Sequence, residues 1–199
     1  MPKTTFDCRI TRLAKSATRH EKAEKLAVRE SEIAARFNTA LREPIRAMRT
    51  RIHGDYHLGQ VLRTETDFVI IDFEGEPARS IEERRTKRSP LQDVAGMLRS
   101  FHYAAFAPLL GEDRIQGVDL ARMSEWADAW NGWVSERFLE KYFATAKGAS
   151  YLPQSKEETQ TVLNLHLLEK AIYELGYELN NRPTWVGIPL QGIAKQLEM

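Results

Sequence analysis

Between about Arg19 and Leu41 the chain is charged and rich in helix formers, with Leu26, Ile33, Phe37 and Leu41 at helical spacing. That pattern predicts one apolar stripe on a helix, which Pro44 ends. The preceding residues, 1–18, have no period and are expected to form a poorly ordered tail. A loop with apolar shoulders follows, from Arg51 to Leu62. Gln60–Arg63 and Phe68–Phe73 then read as two short strands, joined by the polar turn Thr64-Glu65-Thr66-Asp67. The second strand, Phe68-Val69-Ile70-Ile71, is apolar on both faces, so it is expected to be buried and to deliver Asp72 at its end. The charged run from Glu82 to Arg88 lacks any period and reads as a surface loop.

Helical periodicity dominates the remainder. Ser89-Pro90-Leu91-Gln92 fits a capping box with Ser89 as N-cap and Pro90 in the first turn. It opens a helix to about Phe106, with Val94, Met97, Leu98 and Phe101 inward and Pro108 and Gly111 closing it. A second helix spans about Leu120 to Ala146, with Gly148 as its stop signal. On it Trp126, Trp130 and Trp133 fall at helical spacing, which predicts core packing. Ser155 with Glu158 predicts another capping box. The helix after it carries Leu168, Ile172, Leu175 and Leu179 in register, and Asn180, Asn181 and Pro183 end it. Leu163 to Leu168 reads as core, and His102 and His166 as packed or surface residues. A short helix from about Pro189 to Leu197 closes the chain. The sum is a mainly helical α+β domain over residues 19–199 with one small β-hairpin.

Composition narrows the function. With 29 basic and 28 acidic side chains the formal charge is +1, which gives no basic face for nucleic acid. No apolar run approaches the roughly 20 residues that span a bilayer, so no membrane segment is predicted. The single cysteine, Cys8, excludes an internal disulfide and a cysteine-rich zinc module; a reducing, cytoplasmic setting fits.

The chemistry lies in His53-Gly54-Asp55 with Gln60, followed by Ile71-Asp72-Phe73. Phosphoryl transfer needs a carboxylate to orient the acceptor hydroxyl and accept its proton, and oxygen ligands for a Mg²⁺ bridging the β- and γ-phosphates. Kinases place the first on a loop of pattern H-x-D-x-x-x-x-N and a further metal ligand on an Asp after a hairpin. Asp55 stands five positions before Gln60, and the predicted hairpin folds the chain back to carry Asp72 towards it. Taken alone, an Asp after His-Gly is more often a turn former; spacing, hairpin and capped helix together outweigh that reading. The competing assignment, a two-metal hydrolase built on His53, Asp55, His57 and Asp72, is short of imidazole ligands.

These residues resemble the aminoglycoside phosphotransferase-like kinases. Longer strings are similar to the maltokinases, found alone or fused behind trehalose synthase: His53–Leu62, Asp72–Pro77, Ser89–Phe101 and Glu169–Pro183. The resemblance implies the C-terminal lobe of a protein-kinase-like fold and ATP-dependent phosphorylation of maltose to maltose 1-phosphate for glycogen-type α-glucan synthesis. It implies Asp55 as catalytic base, and Gln60 (where most relatives have Asn) and Asp72 as magnesium and ATP ligands, with Glu74 as a further ligand. Sugar contacts by motif neighbourhood are Tyr56, His57, Asp93, Arg99, Tyr173, Glu174, Tyr177 and Trp185, each of which has a structural reading too.

Kinases of this group place a β-rich, nucleotide-gripping lobe ahead of the catalytic one, and the 52 residues before His53 read as a tail and one helix. The expectation is therefore a catalytic lobe with its N-terminal lobe absent and an incomplete ATP site, inactive by itself. The alternative is a non-catalytic module that binds a sugar, docks to trehalose synthase or an N-terminal lobe partner, or forms a homodimer.

Overall fold

The computed structural model describes residues 30–40, 45–111 and 115–198. The expected tail at 1–18 and the first part of the N-terminal helix lie outside them. The first described helix, α1, is Glu30–Ala40. A single 3₁₀ turn, Leu58–Gln60, leads into β1 (Val61–Arg63), which pairs antiparallel with β2 (Phe68–Ile70), Val61 opposite Ile70 and Arg63 opposite Phe68. Then come α2 (Ile81–Arg85), α3 (Leu91–Leu110), α4 (Leu120–Thr145), α5 (Lys156–Asn181), a 3₁₀ turn at Pro183–Trp185, and α6 (Gly187–Glu198). Helices with one two-stranded hairpin make the architecture of a kinase-like C-terminal lobe.

Long helices α3 and α5 form the central pair. Leu91, Val94, Ala95, Met97, Leu98 and Phe101 of α3 bury against Leu163 and Leu167 of α5, and Val134, Phe138, Leu139, Tyr142 and Phe143 of α4 close over them. The other flank of α5 buries Leu168, Ala171, Ile172 and Leu175 against Ile33 of α1 and Leu190, Ile193 and Leu197 of α6. A third cluster joins Phe106 and Leu109 of α3 to Ala127 of α4 and Ile188 of α6. Burying side chains of this size stabilises the lobe by about 1.5–3 kcal/mol each relative to exposure.

Start signals explain most boundaries. Ser155 and Glu158 form a reciprocal capping box, each side chain taking the other's backbone N–H. Asp119 caps α4 by accepting from Ala121 and Arg122. The 89–92 box is not made: α3 starts at Leu91 with Pro90 at its N-cap, and Ser89 Oγ instead accepts from Leu91 N at 3.3 Å. Pro90 already adopts helical angles, so the chain turns without a reciprocal Gln92 bond. The helix also runs through Pro108, ending at Gly111.

Three further expectations are corrected. The run 82–88 contains α2, because Ser80 and Glu83 make a capping box that organises a polar helix with no apolar stripe. Strand β2 is exposed, Phe68 by 65% and Val69 by 46%, because a sheet of two strands offers no second layer; of the six strand residues only Val61 packs on the core. Trp126 and Trp133 are more than 60% exposed and Trp130 nearly half, because α4 turns its Ala127, Val134 and Phe138 side inward. Periodicity placed the three indoles on one face but could not say which face packs.

His102 of α3 is buried, its Nε2 3.2 Å from the Ile188 carbonyl oxygen. Burial, with the nearby Arg99 charge adding, pushes its pKa down to about 3 from 6.5. The folded state thus favours neutral imidazole. That contribution is fully present above pH 6.5 and is lost as pH falls from 6.5 towards 3, by on the order of 4 kcal/mol at the acid end. Chemical denaturation between pH 7 and 3.5 is expected to show this fall, and His102→Asn, which keeps a neutral donor, should flatten it; an unchanged slope in the variant would contradict the assignment.

Candidate active site

Loop 53–57 is built on helix α3. The Asp93 carboxylate accepts the His53 N–H at 2.7 Å and the Gly54 N–H at 2.9 Å. Burial pushes the Asp93 pKa up, and these two backbone hydrogen bonds pull it back. His53 is itself buried; its Nε2 lies 2.8 Å from the Ile71 carbonyl oxygen and its ring packs 4.9 Å from that of Phe73. One imidazole therefore grips the residues on both sides of Asp72. Gly54, at φ 87°, approaches the backbone at Gly75, where a Cβ would lie 3.3 Å from the Gly75 Cα. The loop carrying Asp55 and the segment after Asp72 are thereby held against each other.

Asp72 is the one non-glycine with positive φ among the described residues, at 62°. Such a backbone costs about 1–3 kcal/mol when imposed on an ordinary residue, less for Asp, and concentrates at functional sites. Its carboxylate accepts from the Gln60 side-chain amide at 2.9 Å. These two oxygen-bearing groups suit Mg²⁺, which takes one or two protein carboxylates and fills its shell with water and phosphate oxygens. Among the described residues no three His, Cys, Asp or Glu gather as a metal cage. His53, spent on Ile71, is not displayed as a metal ligand. Glu74 is exposed, and its backbone carbonyl accepts from an Arg84 guanidinium nitrogen at 3.5 Å.

Asp55 faces an open cleft of about 580 Å³. His57 Nε2 stands 3.7 Å from one of its oxygens and Lys170 Nζ 3.6 Å from the other. The far wall is the polar face of α5: Lys170, Tyr173, Glu174, Tyr177, Glu178 and, just past its end, Arg182. Asp72 does not line this cleft; it lies exposed beyond the His53 ring. A smaller pocket of about 40 Å³ opens behind Asp55 among Arg79, Gln92, His166 and Glu169. His166 bonds Glu169 at 3.3 Å and holds that carboxyl below its usual range.

Of the sugar contacts expected from sequence, His57, Tyr173, Glu174 and Tyr177 line the cleft. Tyr56 is half-buried beneath it, packed on the α3 cluster, and burial raises its pKa. Asp93 and Arg99 are drawn inward. Asp93 is the loop clamp, and Arg99, 5% exposed, pairs with Glu174 at 2.7 Å. Trp185 supports the rim from behind: Arg182 lies 4.5 Å over its ring and Tyr103 stacks on it. Arg182 in turn donates to Glu178 at 2.7 and 2.9 Å, and the Tyr103 hydroxyl donates to the same buried carboxylate.

Glu76, Lys170, Tyr103, Glu178 and Arg182 were not singled out from sequence. A signal existed: Lys170, Glu174, Glu178 and Arg182 recur every four residues, with Tyr173 and Tyr177 beside them, opposite the apolar stripe of the same helix. A polar ladder carrying tyrosines on a core helix marks the wall of a cleft.

A family model described as the phosphotransferase enzyme family matches residues 3–129. The chain belongs to that family. Among curated proteins it is 26% identical over 138 residues to a glucosamine kinase of Streptacidiphilus jiangxiensis, covering 69% of this chain and 29% of that protein. It is 43% identical over 53 residues to a glucosamine kinase of Mycolicibacterium smegmatis, covering 27% and 13%. Of solved structures, a glucosamine kinase (crystal form B) superposes with a TM-score of 0.76 at 22% identity, over 98% of this chain and 44% of that one. A glucosamine kinase in complex with glucosamine, ADP and inorganic phosphate gives 0.74 at 21%, over 98% and 47%. The chain thus spans less than a third of the length of these curated relatives and less than half of these structures.

Gly96 of α3 passes beneath the loop so closely that a Cβ would sit 2.6 Å from the Tyr56 carbonyl oxygen. Alanine gains up to about 1 kcal/mol of helix propensity, but pressing on backbone costs about 1–3 kcal/mol. Gly96→Ala is therefore expected to lower the melting temperature and shift the Tyr56 and His57 amide resonances; a raised melting temperature would show the loop to be free of α3.

Proposed function

We propose that this chain is the sugar-bearing part of an ATP-dependent sugar kinase and that its sugar is maltose, phosphorylated at the anomeric hydroxyl. The observation that carries the reading is Asp55 at the foot of a cleft walled by tyrosines and carboxylates, with Gln60 and Asp72 paired on the other side of its loop. Carboxylates accept sugar hydroxyls and aromatic rings cover the apolar sugar faces. A volume of about 580 Å³ is ample for a disaccharide. The maltokinase-like strings of the sequence supply the choice of maltose.

In this reading Asp55 orients the acceptor hydroxyl and takes its proton as the sugar oxygen bonds to the γ-phosphorus and the bond to ADP breaks. Gln60 and Asp72 would hold Mg²⁺, which supplies charge neutralisation on the phosphates. Asp93 keeps the loop in place by fixing two of its amides, and His53 fixes Asp72 relative to Asp55. The exposed apolar residues of the hairpin, Leu62, Phe68 and Val69, are the surface on which a nucleotide-binding lobe would close. An intracellular setting and the absence of nucleic-acid and membrane partners belong to the same reading; no described helix is long and apolar enough to cross a membrane.

One observation favours an amino sugar instead. The relatives are named glucosamine kinases, and at the foot of the cleft the carboxylates of Asp55 and Glu76 stand together, acceptors suited to an ammonium group. ADP release with maltose and with glucosamine, measured on the chain supplied with the nucleotide-binding lobe of a family member, decides between them. Maltose-dependent turnover that Asp55→Asn lowers by about 10²–10⁴-fold is the expected result. Turnover with glucosamine alone would reassign the substrate. Sugar binding without turnover in the complemented chain would reduce it to a binding module, and turnover that survives Asp55→Asn would remove the proposed base.

A further inference from the structure

Two carboxylates face the foot of the cleft from different segments, Asp55 on the loop and Glu76 beyond Asp72, both largely shielded from solvent. Like charges sharing a site repel unless a cation lies between them. Lys170 supplies it: its ammonium is 3.6 Å from Asp55 Oδ1 and 3.7 Å from Glu76 Oε2. The stem of Lys170 starts from α5, whose neighbouring turns are locked in the core by Leu167, Leu168 and Ala171. The ammonium also lies 5.2 Å over the Tyr173 ring, a cleft-wall residue. It is thus fixed to the sugar wall and not to either carboxylate's own segment. Both gaps exceed an ordinary hydrogen bond, so the ammonium sets the spacing of the carboxylates without saturating them.

We propose that Lys170 is a positioning residue that holds Asp55 and Glu76 together as one two-carboxylate receptor for sugar hydroxyls, with Glu76 as a direct sugar contact. The inference rests on the sugar-cleft reading above and adds to it a residue pair that the motif resemblance does not assign. Without the ammonium the two carboxylates turn apart, and the hydroxyl that Asp55 must orient loses its second acceptor. Arg99 does not substitute, because it is committed to Glu174. His57 touches the opposite oxygen of Asp55 and does not reach Glu76 within ion-pair distance.

Calorimetric titration of the chain with maltose and with glucosamine tests this without requiring turnover. Lys170→Met keeps the stem and its packing, so its melting temperature should stay near wild type while sugar affinity falls about fivefold. Lys170→Arg should recover most of that loss. Glu76→Gln placed in the Lys170→Met background should also recover part of it, since the neutral amide no longer repels Asp55. Wild-type affinity in Lys170→Met overturns the proposal alone. Equal losses in Lys170→Met, Lys170→Arg and the double variant would make Lys170 a packing residue and overturn it too. No heat with either sugar in the wild-type chain overturns the cleft reading and this proposal with it.

Discussion

Two backbone amides on one half-buried carboxylate hold the site in shape. Asp93 projects from the first turn of α3, the helix that also forms the centre of the core, and takes the N–H groups of His53 and Gly54. Leaving two partly buried amides unpaired would cost about 1–3 kcal/mol each, so the loop follows the helix. Everything chemical then hangs from that loop. His53 reaches Ile71 and Phe73 and fixes Asp72 between them, Gly54 lets Gly75 approach, and Asp55 is turned into the cleft. Residues far apart in sequence share a site because their supports share one helix.

The loop divides the site into two sides. On one, Asp55 meets the polar face of α5, where Arg99 holds Glu174 and Arg182 with Tyr103 holds Glu178, so that the acidic wall is largely pre-paired and rigid. On the other, Gln60 and Asp72 lie together in an exposed position at the end of a hairpin whose apolar residues face outward. In the proposed reading, a cleft on one side of the loop and an exposed Gln60–Asp72 pair on the other suit a reaction in which two substrates approach from different sides. The backbone at Asp72, held at positive φ, is where the described fold departs from comfortable geometry, and it is one of the two residues proposed to hold the cation.

Much of this was readable from the chain alone. The start of α5 was announced by Ser155 and Glu158, and its inner stripe by Leu168, Ile172 and Leu175, because capping and burial both act over three or four residues. Asp55, Gln60 and Asp72 stood out because their spacing is tied to one loop and one hairpin. What the sequence hid was direction. The tryptophans of α4 and the apolar strand β2 have the periodicity of packed elements, yet nothing local says what lies opposite them, and both are exposed. Asp93 and Arg99, polar residues near a motif, looked like ligand contacts; their partners are 39 or more positions away in the chain, so only the fold shows them turned inward. Glu76 was missed for the same reason in reverse, since its partner Lys170 lies far along the chain on α5.

The central claim is that one loop sets Asp55 and Asp72 at a single phosphoryl-transfer site, with the cation on the Gln60–Asp72 side and the sugar on the α5 side. Titrating isotopically labelled protein with Mn²⁺ in the presence of ADP, and following paramagnetic broadening of each backbone amide, reads that arrangement directly. The account predicts that Gln60 and Asp72 broaden first, Gly54 and Asp55 next, and residues 174–182 last. Broadening that begins at Glu174 or Glu178, or that spares Asp72 while other carboxylates respond, would contradict it.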